Sequence, residues 1–279
     1  LIATIAIIIG ANDASNVFGS AVGSKMLKFK ISIIFFIIFI ILGAIINAGN
    51  PSQVYGNLVL DYPDLKKIFL IIIPVVIVTI ISLKLKIPSS ISQSVIFSLI
   101  AFSIVQKLNV DFELFLKLIY FWIATPLIAF ILSMFFCWLI NSIFKIFRLN
   151  VFQIDYQIRL SLIFFGCLAA FALGAHLTAA IAGIYSPFLS LKLEFKNLNL
   201  ILDDKKLYFF TSLLIGLGAY YFSQKIIRTI GSQISNIKPI PALAILLTQI
   251  FILFSFSSNF TINILTVSYT HLTLPTIRL

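Results

Sequence analysis

Eight long runs of apolar residues follow one another along the chain, with short polar or charged segments between them. The runs cover approximately residues 1–24, 31–48, 68–83, 88–105, 118–143, 160–185, 207–223 and 240–266. A helix that crosses a bilayer needs about 20 mostly apolar residues, so the pattern predicts an all-α integral membrane protein. The first, fourth, sixth and last runs contain clusters of Gly, Pro, Asn or Ser, and we expect these clusters to interrupt the helices.

The composition argues against a soluble domain. Of the 279 residues, 61% are hydrophobic and 10% are charged, and the mean hydropathy is +1.12. A soluble domain carries about 25% charged residues, so this chain has too few polar side chains to cover a water-facing surface. Lipid accepts an apolar surface on every side of a helix. Membrane lipid is therefore a predicted partner.

Basic residues are concentrated in every second connection between the apolar runs. These connections are residues 25–30, 84–86, 145–159 and 224–239, whereas the connections between them mix acidic and basic residues. Cytoplasmic loops of membrane proteins carry an excess of Lys and Arg, so these four segments are predicted to be cytoplasmic. Topology thus explains the net charge of +11, and no nucleic-acid partner is predicted.

Both ends of the chain are atypical. The sequence begins without Met, inside an apolar run, which is typical of a truncated first helix. Residues 267–279 differ in composition from the rest and resemble translated sequencing-adapter sequence, so we expect a non-native tail and give His271 no role. The compact chain without an organellar presequence favours the cytoplasmic (inner) membrane of a prokaryote.

Asp13 is the one acidic residue within the predicted spans. A carboxylate at the bilayer centre costs about 2.5–3.5 kcal/mol and is rare without a partner. Together with Asn12, Ser15 and Asn16 it forms a set of oxygen ligands that suits a small alkali cation. Glycines in the same run would let the helix unwind and free backbone carbonyls as further ligands. The alternative is a frayed helix end at which Asp13 contacts water.

The segment 87–93, which reads IPSSISQ, predicts a helix N-terminus that could hold an anion. Pro suits the first helical turn, and the following backbone N–H groups attract anions. Ser89, Ser90 and Ser92 add hydroxyl donors without a fixed charge, which fits an oxyanion that must be released again. The alternative is an ordinary N-cap, worth about 1 kcal/mol.

Two stretches of the chain show weak similarity to each other. Residues 10–16 and residues 174–180 share Gly-Ala followed by small residues, and they lie in the first and sixth runs. An odd number of crossings relates these runs, so they point in opposite directions through the membrane. Such a pattern is typical of inverted-repeat transporters with a substrate site near the midplane.

His176 lies in the middle of the sixth run. It is a candidate proton relay, since histidine titrates near physiological pH. The alternative is a neutral histidine bonded to a neighbouring helix, because its own run contains no carboxylate.

The cysteines, Cys137 and Cys167, have no metal-ligand spacing. The sequence contains no Gly-rich nucleotide loop, HExxH motif or nucleophile elbow, so we predict neither an enzyme nor a cofactor.

Residues 10–24, which read GANDASNVFGSAVGS, closely resemble the N-terminal signature of the inorganic phosphate transporter (PiT) family. Residues 122–126 (WIATP) resemble its Trp-x-x-Ser-Pro segment, residues 228–239 the stretch before its last helices, and residues 88–93 (PSSISQ) a relaxed Pro-x-Ser-Thr-Thr-His motif. The resemblance implies two inverted-topology repeats with broken or re-entrant helices at the midplane. The first repeat would span 1–143 and the second, degenerate and incomplete, 144–266.

The resemblance also implies a substrate and a set of site residues. The substrate is inorganic phosphate, moved with sodium ions or protons, although some relatives carry sulfate. Asn12, Asp13 and Asn16 fall on cation- and phosphate-site positions, with a sodium ion at Asp13. Ser90 and Ser92 fall on the hydroxyl positions of the second motif, and with Ser89 and Gln93 they form the expected phosphate site. A homodimer is left open.

The second half of the chain departs from the family pattern. The second signature should contain Asn, Asp and Asn, but His176, Leu177 and Ala180 occupy these positions. The second Pro-Ser motif should fall at 260–265, which reads FTINIL. One interpretation is a transporter with fewer coupling ions, in which His176 supplies a titratable positive charge in place of a sodium ion. The others are a diverged, non-transporting sensor or subunit, and a passive channel.

Overall fold

The protein is described here by a computed structural model that covers residues 2–49, 68–85, 90–189, 204–229 and 238–255. These residues form eight α-helices, one for each predicted run. They are α1 (Ile2–Gly23), α2 (Phe29–Asn47), α3 (Ile68–Leu85), α4 (Ile91–Val105), α5 (Phe112–Ile146), α6 (Val151–Leu189), α7 (Asp204–Thr229) and α8 (Pro239–Ser255). The prediction of an all-α protein is confirmed.

Four helices in the described part of the chain are long and apolar enough to cross a membrane. They contain the segments Ala3–Gly23, Phe29–Asn47, Phe112–Ile146 and Val151–Ala182, and shorter apolar segments lie in α3, α4 and α8. The apolar window of α1 is 83% buried within the protein, whereas that of α5 is 17% buried. Helix α1 is therefore central, and α5 presents most of its apolar surface outward, as lipid requires.

The expectation that glycine clusters interrupt the first and sixth helices is wrong. Helix α1 is continuous from Ile2 to Gly23, and α6 is continuous from Val151 to Leu189. None of the described glycines has a left-handed φ. The glycines instead allow neighbouring helices to approach closely, which is their common use in membrane helices.

Helices α1 and α7 pack backbone to backbone. A Cβ atom on Gly10 would overlap the carbonyl of Ile215, and a Cβ atom on Gly218 would overlap the carbonyl of Ile7. Each glycine lies against the carbonyl three residues before the other glycine, so Gly10 and Gly218 lie level and the two helices run parallel. This pair has the most extensive contact in the described protein.

Helices α2 and α6 form a second parallel pair with the same type of contact. A Cβ atom on Gly43 would overlap the carbonyl of Phe171, and a Cβ atom on Gly174 would overlap the carbonyl of Ile40. The glycines of α2 and α7 lie in the same three-residue sequence, Leu-Gly-Ala, at 42–44 and 217–219. The two pairs pack against each other through α2–α7, α6–α7 and α1–α6 contacts.

One side chain joins two of the predicted cytoplasmic connections. The guanidinium of Arg159 donates through Nη1 to the carbonyl of Met26 at 2.8 Å, and its Nε pairs with Asp155 Oδ2 at 2.7 Å. The α1–α2 connection and the start of α6 therefore lie at the same end of the bundle, as the charge pattern predicts. The segment 145–159 is mostly helical rather than a loop, because α5 extends to Ile146 and α6 begins at Val151.

Candidate functional site

Asp13 lies fully buried in the middle of α1. Its side chain is 0% exposed, and Asn12 and Asn16 are buried beside it. The Nδ2 atoms of Asn12 and Asn16 donate to Asp13 Oδ1 at 2.8 Å and 3.1 Å. The alternative of a frayed helix end is wrong, since α1 is helical on both sides of this residue. The three residues of the predicted cation site are thus brought together.

The helical repeat explains this arrangement. Asn16 follows Asp13 by almost one turn, so the two side chains share a face of α1. Ser15 points elsewhere, because its hydroxyl donates to the carbonyl of Asn12 at 2.6 Å. Two neutral amide donors stabilise a carboxylate charge without neutralising it. A monovalent cation or a proton can compensate the charge of this carboxylate.

The second predicted site lies at the start of α4. Ser90 is the N-cap, and its Oγ accepts from the backbone N–H of Gln93 at 3.4 Å. Ser90 therefore has the geometry of an ordinary N-cap. Ser92 is buried on the face of α4 that meets the bundle. Ser89 lies outside the described residues.

A cleft of about 540 Å³ lies along α3 and α4, which contact each other through the hydroxyl of Ser98 and the carbonyl of Ile71. The residues of α4 that line the cleft are Ser90, Gln93, Ser94, Phe97, Ser98 and Ala101, and those of α3 are Pro74, Val75 and Val78. Asp13 is not among the residues that line this cleft. Ser90 and Gln93 therefore line the same cleft, and Asp13 does not line it.

The α3–α4 pair meets the bundle through an apolar contact. A cavity of about 10 Å³, which is close to the size of one water molecule, lies between Ile5, Ile9, Val95 and Ile181 and their apolar neighbours. This contact fixes α3 and α4 against α1 and α6 near the N-terminal half of α1. The amide and carboxylate groups of the cation site lie further along α1.

His176 lies buried in α6, and no hydrogen-bond partner for its Nδ1 lies among the described residues. Its neighbours Leu177 and Ala180 are buried and apolar. The positions that carry Asp and Asn in the family signature are thus parts of an apolar helix interface here. The predicted remnant at 260–265 lies outside the described residues.

Sequence reasoning missed several buried polar residues, above all Thr211 and Ser212. Both are fully buried in α7, although the apolar pattern of the run 207–223 marks no candidate site residue. The hydroxyl of Ser212 donates to the carbonyl of Phe209 at 2.9 Å. No partner for the Thr211 hydroxyl lies within the described ranges. Two adjacent hydroxyl residues inside an apolar run are a visible signal that could have marked this position.

Comparisons with known proteins agree with the fold and show the family. The profile of the phosphate transporter family matches residues 9–277. A Methanocaldococcus jannaschii protein described as a phosphate permease is 23% identical over 230 residues, which are 82% of this chain and 67% of the relative. A Bacillus subtilis protein described as a low-affinity inorganic phosphate transporter is 26% identical over 253 residues, or 88% of this chain and 74% of the relative.

A solved structure described as a sodium-dependent phosphate transporter has a similar fold. Its TM-score is 0.70 at 16% sequence identity, and the match covers 96% of this chain and 86% of the solved chain. At this identity the similarity concerns the arrangement of helices. The residues of the site are compared through the sequence alone.

Proposed function

The chain belongs to the phosphate transporter family, and from that membership we propose that it is a secondary active transporter that moves inorganic phosphate across the membrane with sodium ions or protons. One observation carries the proposal, namely the buried carboxylate of Asp13 with its two amide donors. A buried charge is costly in a membrane helix. A coupling cation or proton compensates this charge, so that its binding and release become linked to the cycle.

The hydroxyl-rich start of α4 is the proposed phosphate site. Ser90 caps the helix, so the first-turn N–H groups and the positive end of the helix dipole meet at this point. The motif residues Ser89, Ser92 and Gln93 add neutral donors. Neutral donors bind an oxyanion without a permanent ion pair, and this favours release on the other side of the membrane.

We further propose that residues 1–143 and 144–266 are two inverted repeats in a prokaryotic inner membrane. The glycine contacts support this proposal. Gly10 and Gly174 hold equivalent places, since each lies against a carbonyl of a parallel partner helix, at Ile215 and Ile40 respectively. The two partner helices, α7 and α2, carry equivalent glycines in turn.

His176 is the proposed proton relay of the second half. It occupies the place in α6 that Asn12 occupies in α1, counted from the glycine two residues earlier. Protonation would supply a positive charge where the family signature has an asparagine. This part of the proposal rests on one residue and has its own test below.

A diverged, non-transporting homologue is the second candidate function. Leu177 and Ala180 are 2% and 1% exposed, so half of the expected polar site has become apolar packing. A protein with one half-site could bind phosphate as a sensor or subunit without moving it. A sulfate permease is the alternative within the transporter class.

Radiolabelled phosphate uptake into proteoliposomes tests the proposal. Imposed sodium and proton gradients are applied separately to the wild type, to Asp13→Asn and to Glu113→Gln, which alters an exposed carboxylate on α5. Uptake that follows one gradient, is lost only in Asp13→Asn and resists excess sulfate is the expected result. Folded protein without uptake under either gradient would favour the non-transporting homologue.

A further inference from the structure

Helices α2, α6 and α7 meet at one end of the bundle. An apolar layer joins them there, with one buried residue from α2, one from α6 and two from α7, namely Ala48, Ala182, Leu207 and Tyr208. Helix α7 is antiparallel to α2 and α6, since Gly216 packs against Ile37 of α2, whereas the start of α7 joins the C-terminal end of α2 in this layer. A step back along α6 and a step forward along α7 therefore lead in the same direction, away from the apolar layer.

One turn away from this layer, α6 and α7 each carry a threonine. Thr178 precedes Ala182 by four residues, and Thr211 follows Leu207 by four. Residues four apart share a face of a helix, so both threonines lie on the faces through which α6 and α7 join the layer. Both are 0% exposed. The two hydroxyls therefore lie at one level of the bundle.

These two hydroxyls differ from other buried threonine hydroxyls. Thr79, Thr125 and Thr248 each donate to the carbonyl four residues earlier in their own helix, which is the usual solution in an apolar helix. No such bond, and no other partner, exists among the described residues for Oγ1 of Thr178 or of Thr211. A buried hydroxyl without a partner is unfavourable, so two of them at one level indicate a shared ligand.

The other half of the bundle provides an internal comparison. Counted from the contacting glycines, Phe36 of α2 holds the place of Thr211, and Ala14 of α1 holds the place of Thr178. Phe36 and Ala14 are also fully buried, so a phenyl ring fills that half. Two threonines are together smaller than phenylalanine plus alanine, and the difference in side-chain volume is enough for one water molecule, about 30 Å³.

The surroundings of the two hydroxyls restrict the ligand to a small neutral molecule. Leu207 and Tyr208 cover them on one side, and on the other side Gly174 lies against the carbonyl of Ile40 with no room for a Cβ atom. Residues 40–48, 174–182 and 207–215 include no Asp, Glu, Lys or Arg. His176 follows Gly174 by two residues and precedes Thr178 by two, so it lies on nearly the opposite face of α6.

We infer that one ordered water molecule lies between Thr178 and Thr211 and bridges α6 and α7 through their hydroxyls. Water donates and accepts, as each hydroxyl does, and buried water commonly pairs with polar groups that have no other partner. The water joins the α1–α7 pair to the α2–α6 pair at the level where α6 meets α7. This inference does not depend on the proposed transport.

A double-mutant cycle on the purified full chain tests the bridge. Valine has the shape of threonine without the hydroxyl, and the unfolding equilibrium in detergent is measured for Thr178→Val, for Thr211→Val and for both together. Each single variant leaves the water and the remaining hydroxyl with one bond fewer, so we expect the unfolding constant to rise about fivefold. The second substitution should add little, because the bridge is already lost. Single variants with an unchanged or lower unfolding constant would overturn the inference, since removal of an unpaired buried hydroxyl has that effect.

Thr248→Val is the matched control for the cycle. Its hydroxyl is also buried, but it donates to the carbonyl of Ala244 within α8. Sites without a shared partner act independently, so the changes from Thr248→Val and Thr178→Val should multiply. Equal coupling of Thr178→Val to Thr248→Val and to Thr211→Val would contradict a local bridge.

An experimental structure that resolves ordered water separates a bridging water from a direct bond between the hydroxyls. We expect density for one water between the two Oγ1 atoms in the wild type, and none at this place in the double variant. Two Oγ1 atoms in direct hydrogen-bond contact, or an empty space between them, would overturn the inference.

Discussion

Gly10 of α1 lies directly against the backbone carbonyl of Ile215 in α7, and a side chain at position 10 has no room between the helices. Lipid tails are as apolar as leucine, so membrane helices associate through close van der Waals packing rather than through water exclusion. Asp13 follows Gly10 by almost one turn. The glycine contact therefore fixes the position of the buried carboxylate relative to α7.

Replacement of Gly10 by alanine should destabilise the protein. The added Cβ overlaps backbone atoms that cannot rotate away, and overpacking of this kind costs about 1–3 kcal/mol. The better helix propensity of alanine offsets about 1 kcal/mol of this cost. Thermal unfolding in detergent measures the net change, and Gly218→Ala should lose a similar amount because its contact with Ile7 is equivalent.

Gly49→Ala is the control for this series. No atom of the described residues lies within 4 Å of a Cβ atom at position 49, so alanine meets no clash with them. An unfolding temperature for Gly10→Ala equal to that of Gly49→Ala would contradict the close packing of α1 and α7.

Asp13→Asn should separate stability from function. The amide has almost the same shape as the carboxylate, and it removes a buried charge whose desolvation is costly. We expect the unfolding temperature without sodium to stay unchanged or rise, while phosphate uptake falls at least tenfold because no cation is held. Parallel unfolding and uptake measurements check both changes. A variant that unfolds at a much lower temperature would instead assign a structural role to the charge.

The apolar pattern predicts the number of helices well because each run must be long enough to span the bilayer. It misplaces helix ends, since helices continue beyond the hydrocarbon. Helix α5 begins six residues before the predicted run, where Asp111 caps it by accepting from the N–H of Leu114 at 2.9 Å. Exposed polar side chains such as Glu113 and Lys117 then extend the helix outside the apolar segment.

The sequence predicts the residues of the cation site, but it does not predict which helix packs beside them. Asn12, Asp13 and Asn16 lie within one turn, so the helical repeat alone brings them together. Gly218 lies far away in sequence, and only the packing of α7 beside α1 places it level with Gly10. The same limit explains the wrong expectation for the glycines, because a sequence does not reveal whether a glycine unwinds a helix or admits a neighbour.

Arg159→Ala should loosen the connection between α1 and α2. The substitution removes the hydrogen bond to the carbonyl of Met26, and we expect a loss of about 1 kcal/mol, because the side chain is half exposed and its ion pair with Asp155 contributes little. Faster proteolysis at residues 24–28 and a small fall in unfolding temperature would report this loss. Lys117→Ala, which breaks an exposed ion pair within α5, should change neither readout.

The contact between Arg159 and Met26 also predicts the topology. Single cysteines at Lys28 and Asn150, in a background with Cys137 and Cys167 replaced by alanine, should react with an impermeant thiol reagent from the same side of the membrane. A cysteine at Gln106 should react from the opposite side, because α5 spans the distance between Gln106 and Asn150. Labelling of Lys28 and Asn150 positions from opposite sides would contradict the arrangement.

His176→Gln tests whether the second half of the chain takes part in coupling. A protonated histidine at this position would add a positive charge near the anion path, so wild-type uptake should increase as the pH falls, and the variant should lose that increase. Phosphate itself titrates in this range, but equally for both proteins, so the difference between their pH profiles isolates the histidine. His271→Gln, which changes the other histidine of the chain, should keep the wild-type profile. If His176→Gln also keeps it, the proton-relay role fails and histidine is a packing residue of α6.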